Sequence, residues 1–297
     1  MWFKNLTLFD LEDEWTLPPA QLEERLAKHP LQPCAAMALE SLGWLSPRDN
    51  GALVEHQEKH FLITLGHEQK LLPSSVINDV AKEKAEEFEA ARGFKPGRKQ
   101  MRDFKERATV ELLPRAFARR RKVHAWVDTG NKRIVVDASS LARAEIVIEQ
   151  LRDALGHLAV VPPYVDPSPR STLTQWLEAG RAPQPFALGD ECELTTTDNE
   201  KSVVRYLRHS LDSEQIQRHL KEGMSVSRLG LQWRDRLSLV VDEKLQLKRV
   251  AFLEVDETAE ADNELDADQQ FEADFAVMTG ELSQLLNDLF VAFGGSK

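Results

Sequence analysis

Two kinds of residue cluster in this 297-residue sequence have the types and spacing to do chemistry. The first kind would hold a metal. His56 and His60 lie four apart, as two imidazoles on one helix face would, but Gln57 stands where a zinc-protease helix carries its glutamate. Two surface histidines in a loop account for the pattern as well. Asp128 and Asp137 flank a turn sequence, and Asp190, Glu191 and Glu193 crowd one short stretch. Paired carboxylates of this sort bind Mg²⁺ in nucleases, and they also simply end strands. The stretch GFKPGRKQ has two glycines and a lysine without the order of a phosphate-binding loop. No motif here specifies an enzyme or a cofactor, and an Mg²⁺-dependent nuclease or repair enzyme stands as the alternative to a binding protein.

The second kind would hold a polyanion. From Ala90 to Val123 there are twelve basic residues against three acids, a net of +9, in a chain whose formal charge is −11. Everything outside the segment therefore carries −20. One cationic stripe in an acidic protein suits a surface that meets a phosphate backbone while the remainder stays in water. A solvated helix face is the bland reading. Met101, Phe104, Ala108 and Leu112 recur at spacings of three and four, which predicts an amphipathic helix between Pro96-Gly97 and Pro114. Arg98, Lys99, Arg102 and Lys105 fall on a stripe beside that apolar set. Lys95, Arg115, Arg119, Arg120, Arg121 and Lys122 complete the expected DNA-contacting residues, the last four at the mouth of a strand. A secondary basic set, Lys201, Arg205, Arg208, Arg218, Lys221 and Arg228, has acids interspersed. Trp126 and Tyr206 would either stack on bases or sit half-buried in a sheet.

The elements that must position these residues follow from periodicity. Trp2 to Phe9 alternates and predicts a strand, and a helix follows Pro18-Pro19 through Leu22 and Leu26. His60 to Leu72 reads as two strands turning at Gly66. A helix from Ser74 with Val76, Val80, Ala81, Ala85 and Phe88 on one side pairs with the basic helix to make a projecting helical hairpin. Residues 123–136 read as a β-hairpin around Thr129-Gly130-Asn131, followed by a helix through Leu141, Ala144, Ile148 and Leu151 that ends at Gly156. After the proline-containing link at 162–169 come a short helix, two strands, a helix capped by Asp212 or Ser213 and a three-strand meander. An acidic loop at about 254–270 is expected to be solvated, with an internal DNA mimic as its second reading. The last helix carries Phe271, Phe275, Met278, Leu282, Leu285, Leu289 and Phe293, a stripe that closes a core or pairs with another subunit.

The fold class expected is α+β: antiparallel or mixed sheets with flanking helices and the helical hairpin, in an elongated subunit. The expected division is 1–161, with the basic hairpin at about 73–122, and 162–297, with the acidic loop and terminal helix. Two cysteines, Cys34 and Cys192, are too few for a disulfide framework, and no apolar run approaches ~20 residues. A cytoplasmic protein that meets no membrane is the expectation.

WFKNL at 2–6, LLPRAF at 112–117, WVDTGNKRIVVDASS at 126–140, VVP at 160–162, LTQW at 173–176, FALGDECEL at 186–194 and ADFAVMTGEL with AFGG near the end together resemble the bacterial recombination-associated protein RdgC family. The blocks span nearly the whole chain in order. The resemblance implies a nucleoid-associated, non-enzymatic protein that binds double- and single-stranded DNA without sequence preference. It further implies a ring-like homodimer around duplex DNA that limits access of the recombinase RecA. Ring closure would require two self-complementary contacts per subunit, for which the terminal helix and the helical hairpin are the candidates.

Overall fold

Strand β1 (Leu6–Leu11) begins later than its alternation predicts. The amides of Lys4 and Asn5 donate to the Asp137 carboxylate, at 3.2 and 2.9 Å, and so leave the ladder. In the computed structural model, which describes residues 2–48, 50–196, 202–253 and 266–295, seven α-helices and twelve strands build an α+β protein with antiparallel ladders. Lys201 and positions 254–265 of the expected acidic loop lie outside the described residues.

The chain forms two compact units, each assembled from separated pieces. The first comprises Met1–Leu17, His56–Leu62 and Ala125–Lys297, and the second Pro18–Glu55 and Ile63–His124. The expected boundary between 161 and 162 falls inside the first unit. Strands β4 (His60–Lys70) and β5 (Ala118–Asp128) each contribute residues to both units.

In the first unit β6 (Arg133–Asp137) pairs with β1, which meets β12 (Leu247–Phe252) at Leu6 and Leu247. The order continues through β11 (Leu237–Asp242), β10 (Ser225–Trp233) and β8 (Phe186–Thr195) to β9 (Val203–Leu207). The two-residue β7 (Val160–Val161) pairs with β1. Helices α4 (Leu141–Leu155), α5 (Pro169–Glu178), α6 (Glu214–Lys221) and α7 (Ala267–Ala292) complete the unit. Ser213 caps α6, its hydroxyl accepting from the Ile216 amide. The apolar stripe of α7 is spent inside this unit: Phe275, Met278, Leu282, Leu285, Leu286 and Leu289 are buried in one cluster with Trp126, Trp233 and Phe186. That stripe is therefore not available to another subunit.

The second unit holds α1 (Pro19–Leu26), β2 (Glu40–Leu45), β3 (Val54–Gln57, whose last two residues belong to the first unit), α2 (Ser74–Arg92) and α3 (Arg98–Leu112). β4 lies between β2 and β5. The expected turn at Gly66 is absent, because β4 runs unbroken and Gly66 sits opposite Gly43 of β2. Both glycines are there for close approach. A Cβ on Gly43 would lie 2.4 Å from the Leu31 backbone, and one on Gly66 would meet the side chains of Leu45 and Leu31 at 2.6 and 2.7 Å. The segment at Leu31 hydrogen-bonds to Trp44, so it presses on β2 at this point. Helices α2 and α3 pack on each other in opposite directions. The rings of Phe88 and Phe104 are 5.9 Å apart, and Lys84 reaches Glu111 at 2.8 Å. Ala81 and Ala108, both fully buried, allow the close approach.

Candidate nucleic-acid interface

Gly97 provides an extended N-cap for α3, and the Gln100 side chain accepts the Gly97 amide at 3.1 Å, so the helix starts where the cationic stripe starts. Its inner face is apolar, and at 3.6 residues per turn Arg98, Arg102 and Lys105 share one outer flank with Lys99 beside them. All four are exposed, as is Lys95 in the preceding loop. Among the described residues Lys95, Arg98, Lys99 and Lys105 form no ion pair, and Arg102 has only the exposed Glu106, 3.7 Å away. The acids collect on the other flank, where Asp103, Glu106 and Glu111 line an open cleft with Arg107 and Val110.

Beyond a one-turn 3-10 helix (Leu113–Arg115), β5 begins at Ala118. The cluster expected at the mouth of a strand is inside it. Strand alternation sends Arg119 and Arg121 to one face and Arg120 and Lys122 to the other. All four, and Arg115, are exposed. Arg115, Arg119 and Arg121 make no ion pair among the described residues, whereas Arg120 donates from Nε and Nη2 to Glu68 Oε2 at 3.1 and 2.8 Å. Glu68 also accepts the Cys34 amide at 2.8 Å. That amide first, then the guanidinium, holds its carboxyl below the usual range.

Two features of this surface escaped the sequence reading. Glu68 lies 52 positions from Arg120, and no local pattern couples them. The second is a set of exposed apolar side chains at the ends of β2, β4 and β5. Phe117 is 85% exposed, and Leu39 and Leu71 are about half exposed. Leu71 N donates to Phe117 O at 2.7 Å, which sets those two residues side by side, while Lys70 N donates to Leu39 O at 2.8 Å, so Leu39 lies opposite Lys70. Phe117 between Arg115 and Arg119 was the available signal.

A family model described as "RdgC: Putative exonuclease, RdgC" matches residues 1–296. The chain belongs to the RdgC family. It is similar to the recombination-associated protein RdgC of Herminiimonas arsenicoxydans, 45% identical with 100% of this chain and 99% of the relative covered. The protein of that name from Dechloromonas aromatica (strain RCB) is 46% identical over 99% of this chain and 98% of its own. In Janthinobacterium sp. (strain Marseille) the corresponding figures are 44%, 99% and 98%. The RdgC match spans both units, so the cationic surface lies within the family's own chain and not in an appended segment.

Most of the carboxylates that opened the metal reading, and His60, have other work in this RdgC chain. Asp128 closes the β5–β6 turn, accepting the amides of Gly130 and Asn131 at 3.1 Å and the hydroxyl of Ser283 at 2.9 Å. Asp137 holds the two N-terminal amides described above, and burial pushes its carboxyl up despite them. His56 and His60 lie on strands β3 and β4, not in a loop. His60 Nδ1 accepts the Trp126 indole N–H at 3.1 Å. Trp126 is fully buried, which closes the base-stacking reading for it. Glu193 is shared by Arg205 and Arg228, and Glu191 pairs with Arg249. Among the described residues no three of His, Cys, Asp and Glu come together as metal ligands, and no helix is long and apolar enough to cross a membrane.

Proposed function

We propose that this RdgC chain binds DNA, double- and single-stranded, through phosphate contacts from α3 and β5 without reading sequence, and acts in the nucleoid by occupying DNA, not by cutting it. The observation that carries the reading is that all ten expected cations are exposed and seven of them form no ion pair among the described residues, in a chain of net charge −11. Lysine and arginine contacts to phosphate give affinity and orientation but no base readout. The relatives' printed name, recombination-associated protein, fits a protein that competes for DNA with a recombinase, and limitation of RecA access is the role we assign.

The working species in this proposal is a homodimer closed around duplex. A second copy covers the exposed pair Leu71 and Phe117, since exposed apolar surface marks interaction sites and a twofold contact uses one patch twice. The family model's description favours a second reading, an exonuclease. One experiment separates the two: incubate the purified protein with linear and circular duplexes of unrelated sequence and Mg²⁺, then measure complex, cleavage products and particle mass. Intact DNA in lasting complexes with two chains per particle supports the proposal. Shortened linear DNA establishes the nuclease instead.

A further inference from the structure

On the first unit, a cleft of about 390 Å³ opens on the face of strands β8 to β12. That size lies at the lower end of small-molecule sites, ~300–1,000 Å³. Its lining combines the apolar side chains of Leu207 and Val240 with the cations Arg205, Arg228, Lys248 and Arg249. Two carboxylates, Glu191 and Glu193, also line it, and Lys248 reaches Asp242 at 3.1 Å, so four positive charges meet three negative ones and the cleft keeps a net +1 in an acidic protein.

Three irregularities of the sheet converge here. In the β8–β10 ladder the register shifts on both sides of the Glu193–Arg228 and Cys192–Leu229 pairs. In the β11–β12 ladder it shifts between Ser238 and Val240, opposite Arg249. Arg249 itself has φ +52, a left-handed conformation that a side-chain-bearing residue adopts at a cost. Bulges re-aim side chains, and backbone held against its preference gathers at functional sites. Here both devices turn charged groups onto one hollow. Glu193 is the organiser: its Oε2 takes Arg228 Nη1 at 3.4 Å together with Arg205 Nε, and its Oε1 takes the Ser227 hydroxyl at 2.9 Å. Burial alone would raise Glu193, but the bonds from Arg205 and Ser227 outweigh it and keep the carboxyl low. It therefore stays charged and orients two guanidinium groups with a single compensating charge. Burial pushes the Cys192 thiol in the wall up to about 12, so it is a neutral surface and not a nucleophile.

We infer that this cleft binds one nucleotide unit, its phosphate on Arg205 and Arg228 and its base against Leu207 and Val240. Apolar side chains beside cations match a ligand that joins a flat weakly polar ring to an anion. The unit is either a free nucleoside monophosphate or an unpaired nucleotide of a strand. This site goes beyond the duplex-binding surface of α3 and β5 and shares no residue with it.

The test titrates dTMP into the full-length protein by isothermal calorimetry, with thymidine and inorganic phosphate as separate probes. The expected result is that dTMP binds at least tenfold tighter than either fragment. Replacing Arg205 and Arg228 together by Gln should weaken it at least tenfold. Leu207→Asp, at an exposed position that folding does not depend on, should do the same. Arg249→Gly should also weaken dTMP while the melting temperature stays equal or rises, because glycine accepts that backbone without strain. A short oligothymidine that displaces dTMP identifies a strand as the source, and failure to displace it identifies the free nucleotide. No dTMP binding, binding equal to inorganic phosphate, or binding unchanged in Leu207→Asp overturns the inference. Duplex binding measured on the same samples reports on α3 and β5 separately, so the two readings fail independently.

Discussion

Arg120 and Glu68 are joined through two donors on one oxygen, Nε and Nη2 at 3.1 and 2.8 Å from Oε2, across neighbouring strands of the second unit. Its sequence neighbours Arg119 and Arg121 point to the other face and have no ion pair among the described residues. Three consecutive arginines therefore have two jobs. Arg120→Ala should lower the melting temperature by a few degrees, since it strips the guanidinium from a largely buried carboxylate, and should change DNA affinity little at high protein stability. Arg119→Ala with Arg121→Ala should leave the melting temperature alone and weaken DNA binding severalfold. Thermal melts and anisotropy titrations of the three variants check this, and equal effects on affinity would refute it.

Helix α3 offers a second comparison. Arg98, Lys99 and Lys105 changed to Gln should weaken binding about equally for every duplex sequence tried. Arg107→Gln, on the acidic flank with Asp103, Glu106 and Glu111, should have little effect. Mobility-shift titrations on two unrelated duplexes distinguish the flanks. A loss confined to one sequence would mean that these side chains read bases.

Acid should destabilise the second unit through His124. Burial, and then the Lys122 charge, push its pKa down to about 4 from 6.5. Thr64 Oγ1 lies 2.8 Å from its Nδ1, and Thr64 is fully buried. The folded pKa is below the unfolded one, so the unfolded chain takes up the proton first. Stability is whole above pH 6.5, falls between 6.5 and 4, and is level below that. The loss attributable to this residue is about 3 kcal/mol. Urea melts at pH 7.5, 5.5 and 4.5 should show the wild type losing more than His124→Asn by that order. Parallel pH curves for the two proteins would contradict the assignment.

Gly43 and Gly66 should differ in tolerance. Gly43→Ala drives a methyl into the Leu31 backbone, which cannot move without breaking its bonds to Trp44, and should cost about 3 kcal/mol or more. Gly66→Ala meets only the ends of Leu45 and Leu31 side chains, and about 1 kcal/mol is expected. Urea midpoints of both variants test the ranking.

The elements that periodicity marks clearly were legible in the sequence. The spacing of Met101, Phe104 and Ala108 gave α3, and that of Phe275 to Leu289 gave α7, because a helix that buries one stripe must repeat it. Gly66 was misread as a turn because a glycine that admits a neighbouring backbone and a glycine that reverses the chain look alike in one sequence. The burial of Trp126 and the double hold on Glu193 were not legible, since each depends on partners scores of residues away. All ten cations of the candidate surface were named from the sequence. What the sequence did not contain was their sorting, with Arg120 tied to Glu68 and Arg119 and Arg121 left to solvent.

The most direct measurement of the central claim is the salt dependence of DNA affinity. Anisotropy on two duplexes of unrelated sequence, between about 50 and 200 mM salt, should give straight lines of log K against log salt with one common slope. Changing Arg98, Lys99, Arg119 and Arg121 to Gln should shallow that slope by roughly 0.9 for each lost phosphate contact, on both duplexes alike. An affinity that ignores salt, a strong preference for one duplex, or an unaltered slope in the variant would contradict a phosphate grip by α3 and β5.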